Sequence, residues 1–277
     1  MMDEKKKKEI PAAVFTALQR SGFPFQTAIA HVVATTGRSP HDRWTVYRPE
    51  YPWRDWSGKD EFLDLVITQG RWFAAVECKK TEKEIFTFLR PLAVSHTGSQ
   101  HERVRCLRGD RRFNLFCEDW AFSPPSPDCS FCVVSTSESG KDQRLLERDA
   151  SLLVRATDAF ALSQEKRFEV NREPTPEDDR IYFSVIVTNA PIYTARYKPS
   201  DVSLESGKFV KNPEEVEVAP WVRFRKSFVS PVGIDLDDRT VFVVHAENLS
   251  EFLTSFEKGL TDDKQERNSK HLLVRGR

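Results

Sequence analysis

A charged residue inside an apolar strand pattern constrains this chain more than any other feature. Glu61-Phe62-Leu63-Asp64-Leu65-Val66-Ile67-Thr68 and Arg71-Trp72-Phe73-Ala74-Ala75-Val76-Glu77-Cys78-Lys79-Lys80 are both rich in β-branched or aromatic residues, with Gln69-Gly70 between them. The two runs read as a β-hairpin. Burying a carboxylate without a partner is costly, yet Asp64 is the one charged residue from Phe62 to Gly70. Strand alternation puts Phe62, Val66 and Thr68 on the face of Asp64, so the carboxylate is expected in a partly buried setting. Glu77 and Lys79 share a face, roughly 6–7 Å apart along the strand. Cys78 points to the other side. Two carboxylates and an ammonium converging on one sheet face suit a hard divalent cation, with the lysine beside a water or phosphate.

Other chemistries are weaker. A solvated salt-bridge ladder of Glu61, Asp64, Glu77, Lys79 and Lys80 would gain about 0.2–1 kcal/mol per cross-strand pair. Such a face should be polar at every second position, and this one is not. Cys129-Ser130-Phe131-Cys132 forms a CxxC that Cys106 and Cys117 could extend to a zinc set, although those two have ten residues between them rather than forming a second close pair. There is no G-x-S-x-G turn and neither Gly-rich phosphate-loop pattern, which argues against serine-hydrolase, ATP-driven and dinucleotide chemistry.

Asp64, twelve intervening residues and then Glu77-Cys78-Lys79 resemble the D-x(n)-(D/E)-x-K signature of the PD-(D/E)XK nuclease superfamily. Leu63 stands where that signature usually has proline. The resemblance implies an α/β restriction-endonuclease-like core, a central mixed β-sheet flanked by helices, here with insertions. It implies an Mg²⁺-dependent (or Mn²⁺-dependent) phosphodiesterase with Asp64, Glu77 and Lys79 as catalytic residues. Asp64, Glu77 and the backbone carbonyl of Cys78 would hold the metal, and Lys79 would orient the attacking water or stabilise the phosphate. Glu61 is a secondary candidate for a second metal. Many members carry a glutamate on the first core helix, for which Gln26 is the nearest counterpart. The implied substrate is nucleic acid, DNA ahead of RNA, in restriction, phage defence, repair or mobile-element settings. The alternative is a binding or regulatory module that keeps the fold without turnover, with a partner surface around Trp53, Trp56 and Trp72. A partner protein or a homodimer is compatible with either.

The remaining chain fits one domain over residues 11–260, with an insertion near 95–130, a charged tail at 1–10 and another at 261–277. Helices are expected from Pro11, over Thr27–Val33, from Asp142 to Phe168 and from about Asn248 or Ser250. Strands are expected at Thr45–Arg48, Phe131–Val134, Tyr182–Thr188, Ile192–Tyr197, Trp221–Arg225 and Thr240–Val244. Tyr51 to Trp56 reads as an aromatic turn, and Thr81 to Arg90 as a short helix or turn ended by Pro91. Gln164, near the end of the long helix, is a further candidate for approaching the site. Forty-two basic and forty-two acidic residues cancel, so nucleic acid has to be met by a local patch. The expected patch is Lys80 with Arg103, Arg105 and Arg108, and with Gln26 nearby; the alternative for the arginines is a solvated or salt-bridged face, since Glu102, Asp110, Glu118 and Asp119 are interleaved with them. No apolar run approaches the roughly 20 residues of a membrane span. Five cysteines without an export signal suggest reduced thiols in a cytoplasm.

Overall fold

Residue 180 begins a nine-residue strand, Arg180–Thr188, in which every position is buried. A continuous apolar run of this kind needs cover on both faces, as in the interior of an α/β sheet. The computed structural model describes residues 4–37, 43–55, 57–92, 103–110, 112–121, 126–135, 145–171, 180–228, 238–259 and 271–274. In chain order the helices are α1 (Glu4–Arg20), α2 (Phe23–Thr35), α3 (Leu145–Asn171) and α4 (Leu249–Gly259). The strands begin with β1 (Thr45–Arg54), β2 (Asp60–Gln69), β3 (Trp72–Lys79) and β4 (Ile85–Pro91), and continue with β5 (Arg103–Gly109), β6 (Leu115–Ala121), β7 (Asp128–Cys129) and β8 (Phe131–Ser135). After α3 come β9 (Arg180–Thr188), β10 (Ile192–Tyr197), β11 (Glu215–Val218), β12 (Trp221–Ser227), β13 (Asp238–His245) and β14 (His271–Val274).

Among the described residues, ten strands form one mixed sheet whose main path is β1-β2-β3-β9-β13-β12-β7. The hairpin β2–β3 is antiparallel, with Gly70 in the left-handed region at its turn (φ 53°), where a Cβ would be strained. β3 then runs parallel to β9, and β9 parallel to β13. α2 and α4 cover one face through Ile29, Val33, Leu249, Phe252 and Leu253. α3 covers the other through Leu146, Ala150, Leu153, Phe160 and Ala161, beside the smaller sheet β11-β10-β4-β8. The chain is thus an α/β protein with a mixed sheet flanked by helices.

Several local expectations are corrected. Tyr51 to Arg54 continues β1 instead of turning, because the run pairs antiparallel with β2 as far as Arg54↔Asp60. Ile85–Pro91 is a strand, since Phe86 and Phe88 bury against the α3-side core while β4 pairs with both β8 and β10. The segment 103–121 is woven into the main sheet, with Leu107↔Tyr182 and Gly109↔Arg180 in register. α1 begins at Glu4, inside the segment read as a tail, and its apolar Val14, Phe15 and Leu18 are exposed. Within 261–277, His271–Val274 pairs with β6, and the rest lies outside the described residues. Trp53 is buried in the α3-side core, so it forms no partner surface, and Trp56 lies outside the described residues.

The zinc alternative also fails on geometry. Cys129 and Cys132 are buried in the α3-side core, whereas Cys106 is buried in the core on the opposite face of the sheet.

At the N-terminal end of β9 a buried charge cluster ties the layers together. The Glu165 carboxylate on α3 accepts from Arg180 Nε (2.7 Å), Arg180 Nη2 (2.6 Å) and the Tyr182 hydroxyl (2.6 Å). Gly109 permits this approach, because a Cβ there would lie 2.1 Å from Glu165 Oε1. Truncating one partner strands the other charge in the core. Glu165→Ala is expected to lose about 3–5 kcal/mol of stability in urea unfolding. A change within about 0.5 kcal/mol, the scale of ordinary surface substitutions, would show that the cluster is solvated.

Candidate metal and phosphodiester site

The strand pair β3–β9 ends with Glu77↔Ile186, Cys78↔Val187 and Lys79↔Thr188 in register. Trp72, Ala74, Val76 and Cys78 pack toward the α2 and α4 side, and Phe73 and Ala75 toward α3. Glu77 and Lys79 continue the α3-facing series by the two-residue period. The chain just beyond Lys80 is fixed by Asn189: Thr81 N–H donates to its Oδ1 (2.6 Å), and its Nδ2 donates to the Thr81 carbonyl (2.8 Å). The end of β3 is therefore held from both sides of the chain.

Asp64 stands across from this end. Its Oδ2 accepts the backbone N–H of Cys78 at 2.7 Å, so the carboxylate is bound directly to the strand that carries Glu77 and Lys79. Regular alternation breaks at Asp64. Leu63 packs on the α3 side and Leu65 on the α2 side, although they are two positions apart. Phe62 is 58% exposed, so it does not provide the apolar surroundings expected of it. The partial burial of Asp64 comes from its place between strands.

Two carboxylates that strand periodicity did not single out join the cluster. Glu50 occupies the β1 position facing Asp64, between the register pairs Pro49↔Leu65 and Tyr51↔Leu63. Its φ of 47° is left-handed, an uncommon conformation for a residue with a Cβ. Gln26 on α2 holds both neighbours: its Nε2 donates to Glu50 Oε1 and to the Asp64 backbone carbonyl, each at 2.7 Å. Gln26 is thus at the site as a hydrogen-bond donor. Asp149, near the start of α3, forms an ion pair with Lys79, Nζ to Oδ2 at 2.6 Å. The only advance sign of either residue was its charge, in a chain where charged residues are 30% of the total.

The electrostatics follow from this crowding. Burial pushes the Glu77 carboxyl up to about 8, helped by Asp64 and Asp149 and opposed by Lys79. Burial also raises Asp64, with Glu50 adding repulsion, while the Cys78 N–H and Lys79 oppose the rise. The Cys78 thiol is raised chiefly by burial, which suits an inert packing residue more than a thiolate ligand. Among the described residues, no three His, Cys, Asp or Glu side chains are already gathered into a metal cage. The donors fit a small hard cation all the same. Mg²⁺ is usually held by one or two carboxylates and keeps several waters, and Asp64 and Glu77 supply two repelling, desolvated carboxylates.

The other predicted residues are placed elsewhere. Lys80 Nζ donates to the Gln19 carbonyl at the end of α1, next to the cluster. Glu61 is ion-paired with Lys59. Arg108 makes a two-pronged buried pair with Glu118, at 2.8 and 3.0 Å, and Arg105 is paired with Asp119 at 3.5 Å. The side chain of Arg103 lies outside the described residues. Arg108 is in register with Ile181, and Glu77 with Ile186. Five residues at about 3.3 Å each put Arg108 roughly 16 Å along β9 from the site. Arg108 is therefore a structural residue toward the opposite end of β9, and it does not line the site. Gln164 hydrogen-bonds Tyr47 (3.1 Å), so the α3 residue at the site is Asp149.

The raised Glu77 carboxyl has a pH consequence. Native Glu77 keeps a proton that the unfolded chain releases above its ordinary value of 4.5. The stabilising contribution is full below that value and is lost as pH rises to about 8. Without divalent metal, Glu77→Gln is expected to melt higher than wild type at pH 8, the difference vanishing near pH 4.5. Equal melting temperatures at both pH values would mean that the Glu77 carboxylate is fully solvated.

No helix among the described residues is long and apolar enough to cross a membrane. No protein-family model, curated protein or solved structure matches the chain, which leaves the side-chain geometry of this cluster as the guide to function.

Proposed function

We propose that the chain is a metal-dependent phosphodiesterase of the PD-(D/E)XK type acting on nucleic acid, DNA in the first place and RNA as the alternative. The observation that carries this reading is the Asp64–Cys78 hydrogen bond. It seats Asp64, the one charged residue from Phe62 to Gly70, against the backbone between Glu77 and Lys79. A salt-bridge ladder on a solvated sheet gives no reason for two mutually repelling carboxylates to be half-buried at one strand end. A cation-binding function does, and enzymes place such perturbed groups where chemistry occurs. The chain order of helix α2, strand β1, hairpin β2–β3, helix α3 and parallel strand β9 is compatible with the restriction-endonuclease-like core that the motif implies.

In this reading Asp64, Glu77 and the Cys78 carbonyl are the metal-holding atoms. A bound Mg²⁺ or Mn²⁺ would polarise the scissile phosphate and lower the pKa of an attacking water. Lys79 presents its ammonium to the phosphoryl oxygens, where negative charge builds up during attack. Gln26 keeps Asp64 and Glu50 at their spacing through its two hydrogen bonds. Lys80, next in the chain to Lys79, is the proposed strand-contacting cation, its Nζ donating to the Gln19 carbonyl. Restriction, defence against invading DNA and mobile-element processing are the settings proposed for such an enzyme, in the cytoplasm.

The test is cleavage of supercoiled, linear and single-stranded DNA and of RNA, with Mg²⁺, Mn²⁺ or EDTA. Cutting is expected to need metal and to fall by about 10²–10³-fold in Lys79→Ala, the scale for losing one charge-stabilising group. Mn²⁺ should raise the melting temperature of wild type and leave Asp64→Asn unmoved. A wild-type protein that neither cuts nor responds to Mn²⁺ would favour the binding-module alternative.

A further inference from the structure

We infer that Asp149 is a positioning residue of the hydrolytic site, holding the Lys79 ammonium where the phosphate is to be met; this rests on the nuclease reading above. Lysine carries about 2 kcal/mol of side-chain rotamer entropy, so an untethered Lys79 would spend little time in one place. The structure fixes both ends of a tether. Lys79 is in register with Thr188 at the end of the β3–β9 ladder, and two hydrogen bonds to Asn189 lock the chain two residues on. Asp149 sits on α3 between Leu146 and Leu153, both buried in the core beneath the helix, with buried Ala150 beside it. Between these two anchored backbones the Nζ–Oδ2 distance is 2.6 Å, and the side chains are only 25% and 15% exposed.

That degree of enclosure separates the pair from surface ion pairs such as Arg196–Glu215, whose side chains are 41% and 49% exposed. The neighbouring acid on the same helix turn, Glu147, is committed elsewhere, to Lys226 on β12 at 2.7 Å. The pairing crosses from the sheet to α3. A rigid helix supplying the counter-charge limits the arc through which the ammonium can swing. The contact is an ion pair, which leaves ammonium hydrogens available as donors to substrate.

The test uses Asp149→Asn, which is nearly isosteric, with Asp149→Glu as the conservative variant. Reductive methylation followed by peptide mass spectrometry reads the freedom of the Lys79 amine without any reference to turnover. Lys79 is expected to label several-fold faster in Asp149→Asn than in wild type. With Mn²⁺ and DNA, the same variant is expected to lose about 10- to 100-fold in kcat at unchanged KM. Asp149→Glu should recover most of that loss, and Asp149→Asn in a Lys79→Ala background should add none, because the two residues act as one unit. Wild-type turnover by Asp149→Asn, unchanged labelling of Lys79, or a loss that adds to that of Lys79→Ala would each overturn the positioning role while leaving the nuclease reading intact. A wild-type protein inert toward every substrate would instead sink the nuclease reading, and this role with it.

Discussion

The parallel pairing of β3 with β9, from Trp72↔Ile181 to Lys79↔Thr188, is the contact on which the rest of the structure depends. β9 is buried along its whole length, so it can be satisfied only by strands on both edges and helices on both faces. β3 fills one edge, while β5 and β13 share the other. Once that ladder forms, the polar tail of β3 has to emerge at the edge of the apolar interior. Glu77 and Lys79 are then neither fully buried nor free in water, the setting in which a cation or a phosphate interacts most strongly with them.

The two ends of the sheet handle charge in opposite ways. At the Arg180 end, buried charges are closed on one another: Glu165 is taken up by Arg180 and Tyr182, Glu118 by Arg108, and Asp158 by Arg239 at 2.7 Å. These pairs hold layers together without needing a ligand. At the Lys79 end the account is unbalanced. Glu50, Asp64, Glu77 and Asp149 gather around Lys79, and the Glu77 carboxyl is pushed up chiefly by burial, with the neighbouring carboxylates adding to the rise. The excess of negative charge in a partly dry place is what a divalent cation would correct. Such a site exchanges some metal-free stability for binding, as functional sites commonly do.

Local irregularity has a comparable role. Glu50 in a left-handed conformation, the change of face at Asp64 and the grip of Gln26 on both strands all fall within one register position. A regular β1–β2 ladder would direct Glu50 and Asp64 by simple alternation. The left-handed Glu50 of β1 faces the position at which the Asp64 carboxylate of β2 meets β3.

The hairpin, the buried central strand, the long helix α3 and the Asp64–Glu77–Lys79 pattern were legible in the sequence. Each rests on local periodicity or on a charge placed where an apolar strand disfavours it. Strand character at Ile85–Pro91 was not legible, because that run is extended through partners distant in the chain; at Tyr51–Arg54, Pro52 among the aromatics read as a turn, although the run pairs with the strand that follows it. The arginine run showed the limit most clearly. Its spacing allowed phosphate contacts or a salt-bridged face, and Arg108 took the second, finding Glu118 across a hairpin while its strand joined the far end of β9. Glu50 and Asp149 came to the site by register and by helix packing, which no short window of sequence encodes. Sequence alone thus determined which strand carries the candidate site residues. Tertiary structure decided which charges surround it, since electrostatics depends on distance through space, and that distance is set by long-range pairing.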